Sequence, residues 1–175
     1  RAGLVAVVRM VTQLLLVGYV LTFIFESDSA AVVLAVVSVM LATAGWIALR
    51  PLGDVRRTAY PKILLAIGIG ALTVVVAATQ GVLDLSPWHD ASVVIPFAGI
   101  VLSNSMNTVS LAAERFGAER RRGVGYRDAR HIAMSTALIP MTNSLLAVGI
   151  VSLPGMMTGQ ILSGVEPLIA VRYQI

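Results

Sequence analysis

No cysteine and only two histidines occur among the 175 residues. Disulfide frameworks, thiol catalysis and cysteine-based zinc or iron–sulfur sites are thereby excluded, and the isolated His89 and His131 offer no paired ligand spacing. Charge is scarce too, at 13% Asp, Glu, Lys and Arg. There is no Walker A phosphate loop, no GxSxG and no HExxH, so hydrolysis by this chain is not expected. No fixed-period repeat or low-complexity tract interrupts it. What it has in excess is apolar material, 57% of residues with a mean hydropathy of +0.87. One soluble core of this length cannot hide that much, which makes lipid the expected solvent.

Five apolar stretches are each long enough for the ~20 helical residues that a bilayer core requires. They are Leu4 to Phe25, Ala30 to Leu49, Ile63 to Leu83, Val93 to Ala113 and Ile132 to Leu153, with a sixth beginning near Leu168. None alternates strictly between apolar and polar residues, as barrel strands of ~10 residues would. The expected class is all-α: a polytopic helical membrane protein of about five transmembrane helices plus the start of a sixth, in one domain over 1–175.

The connections orient it. Arg50, Arg56, Arg57 and Lys62 follow the second stretch, and Arg115, Arg120, Arg121, Arg122, Arg127 and Arg130 follow the fourth; these ten are most of the 13 basic residues. The other connections carry Glu26 and Asp28, then Asp84 and Asp90, then Glu166, with no Lys or Arg. By the positive-inside rule the arginine loops are cytoplasmic and the acidic ones external. That topology also accounts for the +4 charge and pI near 10.1 without nucleic acid as a partner. Asp28 and Ser29 are expected to cap the second helix, Pro51 and Gly53 to end it, and Pro61 to open the third at a first-turn position. Trp88 suits the external interface and Tyr60 the internal one.

Polar groups inside spans mark the candidate site, because burying them in lipid is costly. The fourth stretch holds Ser103, Asn104, Ser105, Asn107 and Thr108; the fifth holds Ser135, Thr136, Thr142, Asn143 and Ser144 around Pro140. They either bond between helices or line a polar path through Asn104, Asn107 and Asn143. The segment LPGMMTGQILSGVEP, Leu153 to Pro167, is bracketed by prolines and is too short to span, which suits a broken or re-entrant helix. Its Met156 and Met157 are soft thioethers that suit either a passing metal or a packing gap. Glu26, Asp28, Asp84 and Glu166 are oxygen donors for a divalent cation at an external mouth, or solvated loop carboxylates. Arg9 and Gln13 are expected to snorkel or pair, and Arg172 to pair with Glu166 or a span residue. A serine protease pairing of Ser103 or Ser105 with His131 would have to bridge opposite ends of the helix pair.

Several strings carry a resemblance. QLLLVGYVLTFIF from Gln13 to Phe25, the IP..G....NSM pattern on Ile95, Pro96, Gly99, Asn104, Ser105 and Met106, and ALIP at Ala137 to Pro140 are followed by VGIVSLPGMMTGQILSGVEPLIAVRYQI from Val148 to Ile175. The chain resembles the FetB-type family of ABC-transporter permeases, bacterial iron-export subunits similar to plant aluminium-tolerance half-transporters. That resemblance implies a permease that dimerises in the cell's inner (plasma) membrane, binds a separate cytoplasmic ATPase that handles ATP and Mg, and exports a metal ion, iron being expected. No cofactor of its own is expected. It implies that Asn104, Asn107, Asn143, Met156, Met157 and Gln160 line the substrate path, and that Glu114, Arg115, Glu119 and Arg120 couple to the ATPase. It also implies a fragment, with the first and last helices and part of the 115–130 loop absent. An organic cargo such as a nucleotide sugar and a non-transporting scaffold are the alternatives.

Overall fold

The computed structural model describes residues 2–26, 29–151 and 153–172. Every regular element among them is helical: α1 (Ala2–Glu26), α2 (Ala30–Ala48), a 3-10 segment (Arg50–Val55), α3 (Arg56–Val76), a π-helical turn (Ala77–Val82), α4 (Ala91–Arg121), α5 (Tyr126–Ala147), α6 (Gly155–Leu162) and α7 (Pro167–Arg172). Four helices, in α1, α2, α3 with its π turn, and α4, are long and apolar enough to cross a membrane. The chain is therefore an all-α, multi-pass membrane protein. The fifth long helix, α5, is more polar, because Arg127, Asp128, Arg130 and His131 lie in its first two turns. It stops at Ala147, short of Leu153, and Gly149 then turns the backbone at φ +80°.

α2, α3 and α4 form the core. Ala44 and Ala48 of α2 meet Ile67 and Ala71 of α3 and Leu102 of α4 in one buried cluster. Val33 of α2 meets Ala91, Val94 and Ile95 of α4 in a second. Small residues dominate because lipid supplies no hydrophobic drive between helices, and close backbone approach maximises dispersion contacts. At Gly45 an added Cβ would lie 3.3 Å from a Leu64 methyl, so the α2–α3 crossing requires glycine or a local shift. Large apolar side chains such as Leu15, Ile69 and Leu145 point outward, as suits contact with acyl chains.

The boundaries differ from expectation in two places. Pro61 is the sixth residue of α3, not a first-turn residue, because the helix starts at Arg56 directly after the 3-10 segment. Pro61 therefore has no N–H to give the Arg57 carbonyl. Ser29 occupies the N-cap position of α2 but makes no side-chain cap bond; its carbonyl accepts from Val32 and Val33 N–H. Asp28 lies outside the described residues.

Candidate functional site

Two features stand out, a polar helix face and a charged hairpin. The hairpin joins α4 to α5. α4 runs 31 residues, ~46 Å at ~1.5 Å per residue, well beyond the ~30 Å hydrocarbon core. Its last two turns therefore project past the apolar stretch and carry Glu114 to Arg121. Gly123 ends the helix at φ +84°. Its N–H bonds the Arg120 carbonyl at 3.1 Å, and the Val124 N–H bonds the Glu119 carbonyl at 3.2 Å, a Schellman stop that satisfies the last carbonyls. α5 then starts at Tyr126, with Gly125 at its N-cap, and returns along α4 through Ala129, Ala133 and Ala137, all buried at four-residue spacing. The segment expected to be a loop is thus a tight helical hairpin.

Inside it, Glu119 is 4% exposed. Its Oε1 lies 2.8 Å from Arg115 Nη2 and 3.6 Å from Arg122 Nη1. Phe116 and Tyr126 meet edge to face across the turn, 5.6 Å between ring centres, and Arg120 Nη1 donates to the Val124 carbonyl at 2.9 Å. Of the four residues expected to couple to an ATPase, Arg115, Glu119 and Arg120 hold the hairpin together, while Glu114 is exposed. Burial of Glu119 is invisible in the sequence, although its i−4 and i+3 arginine neighbours were the available signal.

The second feature is the polar face. Ser103, Asn104 and Asn107 lie exposed on one side of α4, and Asn143 and Ser144 lie exposed on α5. Thr108 and Thr142 donate back to their own helices, to the carbonyls of Asn104 and Leu138. The Asn side chains make no hydrogen bond among the described residues. Depth follows from helix geometry. Asn104 is 16 residues from Arg120 and Asn143 is 16 from Arg127, so both lie ~24 Å from the arginine end. The antiparallel hairpin therefore sets two exposed carboxamides at about one level. Each can donate and accept, so the pair suits a hydrated path or a polar ligand.

The remaining candidates are dispersed. α6 is a short helix of 8 residues, ~12 Å long, ended by Gly164 at φ +89°, so the proline-bracketed segment is a broken helix. It carries Met157 and Gln160; Gln160 Oε1 is buried without a hydrogen-bond partner. The Met156 and Glu26 side chains lie outside the described residues. Asp84 is exposed in a left-handed turn at φ 47°. Glu166 is exposed and offers its carbonyl to the N–H groups of Ile169 and Ala170. Asp90 caps α4 by accepting from Ser92 N–H at 2.9 Å. Among the described residues no three His, Asp or Glu side chains gather as a metal site. Ser103 and His131 lie about 20 Å apart along the helix axes by residue count, which leaves the protease pairing without geometry.

One cluster had no counterpart in the sequence reading. Arg56 stacks its guanidinium on Trp46, 3.6 Å from the ring centre, and its Nη2 donates to the Trp46 carbonyl. Tyr60 packs edge-on against Trp46 and donates to the Ala42 carbonyl at 3.1 Å. Ten residues separate Arg56 from Trp46 across a turn, so only the fold brings them together.

Several known membrane proteins are similar to this chain. A Synechocystis protein, UPF0014 membrane protein slr1647, is 31% identical over 95% of this chain and 70% of its own length. The Escherichia coli "Probable iron export permease protein FetB" is 34% identical over 95% of this chain and 69% of its own. The rice UPF0014 membrane protein STAR2 is 31% identical over 98% of this chain and 64% of its own. No solved structure matches. The model of the uncharacterised protein family UPF0014 matches residues 1–125 and 117–175, two stretches that overlap from the end of α4 to the α4–α5 turn. The chain belongs to the UPF0014 family of membrane proteins.

Proposed function

We propose that this chain is the membrane permease subunit of an ABC transporter that exports a metal ion, iron being the cargo to test first. A separate ATPase at the arginine-bearing, cytoplasmic end would supply the energy and bind ATP and Mg. The observation that carries a transport role is the pair of uncovered carboxamides, Asn104 and Asn143, level with each other on two packed helices. Polar groups at that depth are costly against lipid, and a hydrated path or a second copy of the chain removes the cost. Iron as cargo rests on the similarity to the Escherichia coli relative and its printed name. Met157 and Gln160 on the broken α6 then stand at the outer end of the path.

The α4–α5 hairpin is the element suited to receive the ATPase. It projects beyond the apolar stretch, and its Glu119 ion pairs stiffen it, so a push at the turn moves α4 as a unit. Glu114 and the exposed face of Arg120 are the residues offered to the partner. In a homodimer two such hairpins would meet two ATPases.

A second reading has its own observation. Carboxamides and hydroxyls without a carboxylate cluster suit a neutral organic solute as well as a cation, which keeps a nucleotide sugar in view. The deciding experiment is reconstitution of the permease with its co-purifying ATPase in liposomes. Iron-stimulated ATP turnover with outward iron movement supports the proposal. Turnover indifferent to iron but raised by a nucleotide sugar replaces the cargo, and the absence of any bound ATPase favours a scaffold.

A further inference from the structure

We propose that the cytoplasmic end of the α2–α3 pair, where Trp46, Arg50 and Arg56 stand at the membrane interface, binds the headgroup of an anionic phospholipid of that leaflet. The connection from Arg50 to Lys62 carries four basic residues, Arg50, Arg56, Arg57 and Lys62, against one acidic residue, Asp54. None of the four forms an ion pair among the described residues. The α4–α5 hairpin differs, because Glu119 there pairs with Arg115 and Arg122. The positive-inside rule accounts for the sign of the α2–α3 connection; it does not account for how its arginines are held.

Arg56 is fixed before any ligand arrives. Its guanidinium lies 3.6 Å from the Trp46 ring centre, and its Nη2 donates to the Trp46 carbonyl. Nη1 has no hydrogen-bond partner among the described residues. A planar guanidinium already ordered in this way loses little freedom on donating to phosphate oxygens. Depth follows from the helix register. The bonds from Arg56 to the Trp46 carbonyl and from Tyr60 to the Ala42 carbonyl are four residues apart on each helix, so α2 and α3 run antiparallel with Arg56 level with Trp46. That level is about one turn, ~5 Å, from Leu49 at the end of the apolar stretch. Tryptophan rings and lipid headgroups share that level.

The surface leading to it selects a lipid. Val39, Thr43 and Trp46 are exposed at helical spacing along α2, and the exposed Arg50 follows them. Thr43 donates to the Val39 carbonyl, so its hydroxyl is satisfied within the helix. On α3 the exposed Lys62 heads a second stripe of Leu65, Ile69 and Leu72. Two apolar stripes that each end on a cation match a molecule with apolar tails and an anionic head. An acidic protein surface or a free anion matches the cations alone.

The test reads lipid at Trp46. The chain has two tryptophans, so Trp88→Phe isolates it. The full chain in detergent micelles is titrated with acyl-brominated phosphatidylglycerol and, separately, with acyl-brominated phosphatidylcholine, and quenching is normalised to each variant's unquenched emission. Phosphatidylglycerol should reach half-quenching at a mole fraction at least tenfold lower. One basic residue near an anionic lipid surface contributes about fivefold. Arg50→Gln, which removes no bond among the described residues, should therefore reduce the preference about fivefold with helicity unchanged, and Arg56→Gln at least as far. Arg127→Gln on the α4–α5 hairpin removes the same charge from the same side of the membrane and should leave the preference unaltered. Equal quenching by the two lipids overturns the proposal. So does an equal loss in Arg50→Gln and Arg127→Gln, which would make the net charge of the cytoplasmic side the cause. Added glycerol phosphate should not relieve the quenching; relief by it would make a soluble anion the ligand and would likewise overturn the assignment.

Discussion

Arg115 Nη2 sits 2.8 Å from Glu119 Oε1, and the carboxylate it holds is almost wholly buried at the base of the α4–α5 turn. Removing the carboxylate leaves Arg115, whose Nε is already buried without a hydrogen-bond partner, with no counter-charge. Breaking a fully buried pair costs ~3–5 kcal/mol, but the Arg115 side chain is 39% exposed and that of Arg122 71%, so solvent screens much of it. Glu119→Ala should cost about 1–2 kcal/mol, read as a lower unfolding midpoint in detergent. Glu119→Gln should cost less, since its oxygen still accepts from arginine. Equal midpoints for wild type and Glu119→Ala would show that the ion pairs contribute nothing.

Gly123 tests the stop of the same hairpin by backbone alone. Its φ is +84°, and an added Cβ would meet nothing within 4 Å. The cost of Gly123→Ala is therefore the left-handed penalty, ~1–2 kcal/mol. Gly123→Asn should recover part of it, because asparagine tolerates that region. Amide exchange of residues 119–129 should speed up in the Ala variant and less so in the Asn variant. Identical exchange in all three would remove the Schellman stop as a source of hairpin stability.

How much of this was legible beforehand divides along physical lines. The all-helical membrane class was readable, since apolar runs near 20 residues have few other solutions. So was the broken helix at Leu153 to Pro167, where two prolines and the glycines left little choice. The hairpin was not. Six arginines in one segment read as a cytoplasmic loop, whereas Arg115, Arg120 and Arg121 continue α4, Arg122 caps it beside Glu119, and Arg127 and Arg130 open α5 after the turn at Gly123. The start of α3 was missed for a related reason. Pro61 looks like a first-turn residue, but Arg56 is held by Trp46, and that contact forms only after α2 and α3 fold together. The polar stripe of α4 was visible as composition; that Asn104 of α4 and Asn143 of α5 share a level required the length of the turn between them.

The Arg56–Trp46 stack gives a prediction that separates charge from shape. Lysine keeps the charge but loses the planar guanidinium and its donor to the Trp46 carbonyl. Arg56→Lys should therefore cost about 0.5–1 kcal/mol, the range for an exposed cation–π contact, and should shift Trp46 emission as the indole gains water. Arg56→Gln should shift it further. An unchanged spectrum in both variants would mean that the stack is not maintained in the membrane.

Asn104 and Asn143 carry the functional prediction. Neither side chain bonds to a described residue, so Asn104→Ala and Asn143→Ala should leave the unfolding midpoint within about 0.5 kcal/mol of wild type, as for substitutions that remove no contact. Transport should respond differently. If the two carboxamides line one path, each alanine variant should lower cargo flux about tenfold in liposomes containing the ATPase, with ATP turnover in the absence of cargo unchanged. Asn→Ser should fall between, since a hydroxyl also donates and accepts. The double variant should lose little beyond the worse single, because two groups contacting one cargo do not act independently. Full flux in both single variants, with the ATPase still bound, would assign the polar face of α4 to contact between copies of the chain and take it out of the path.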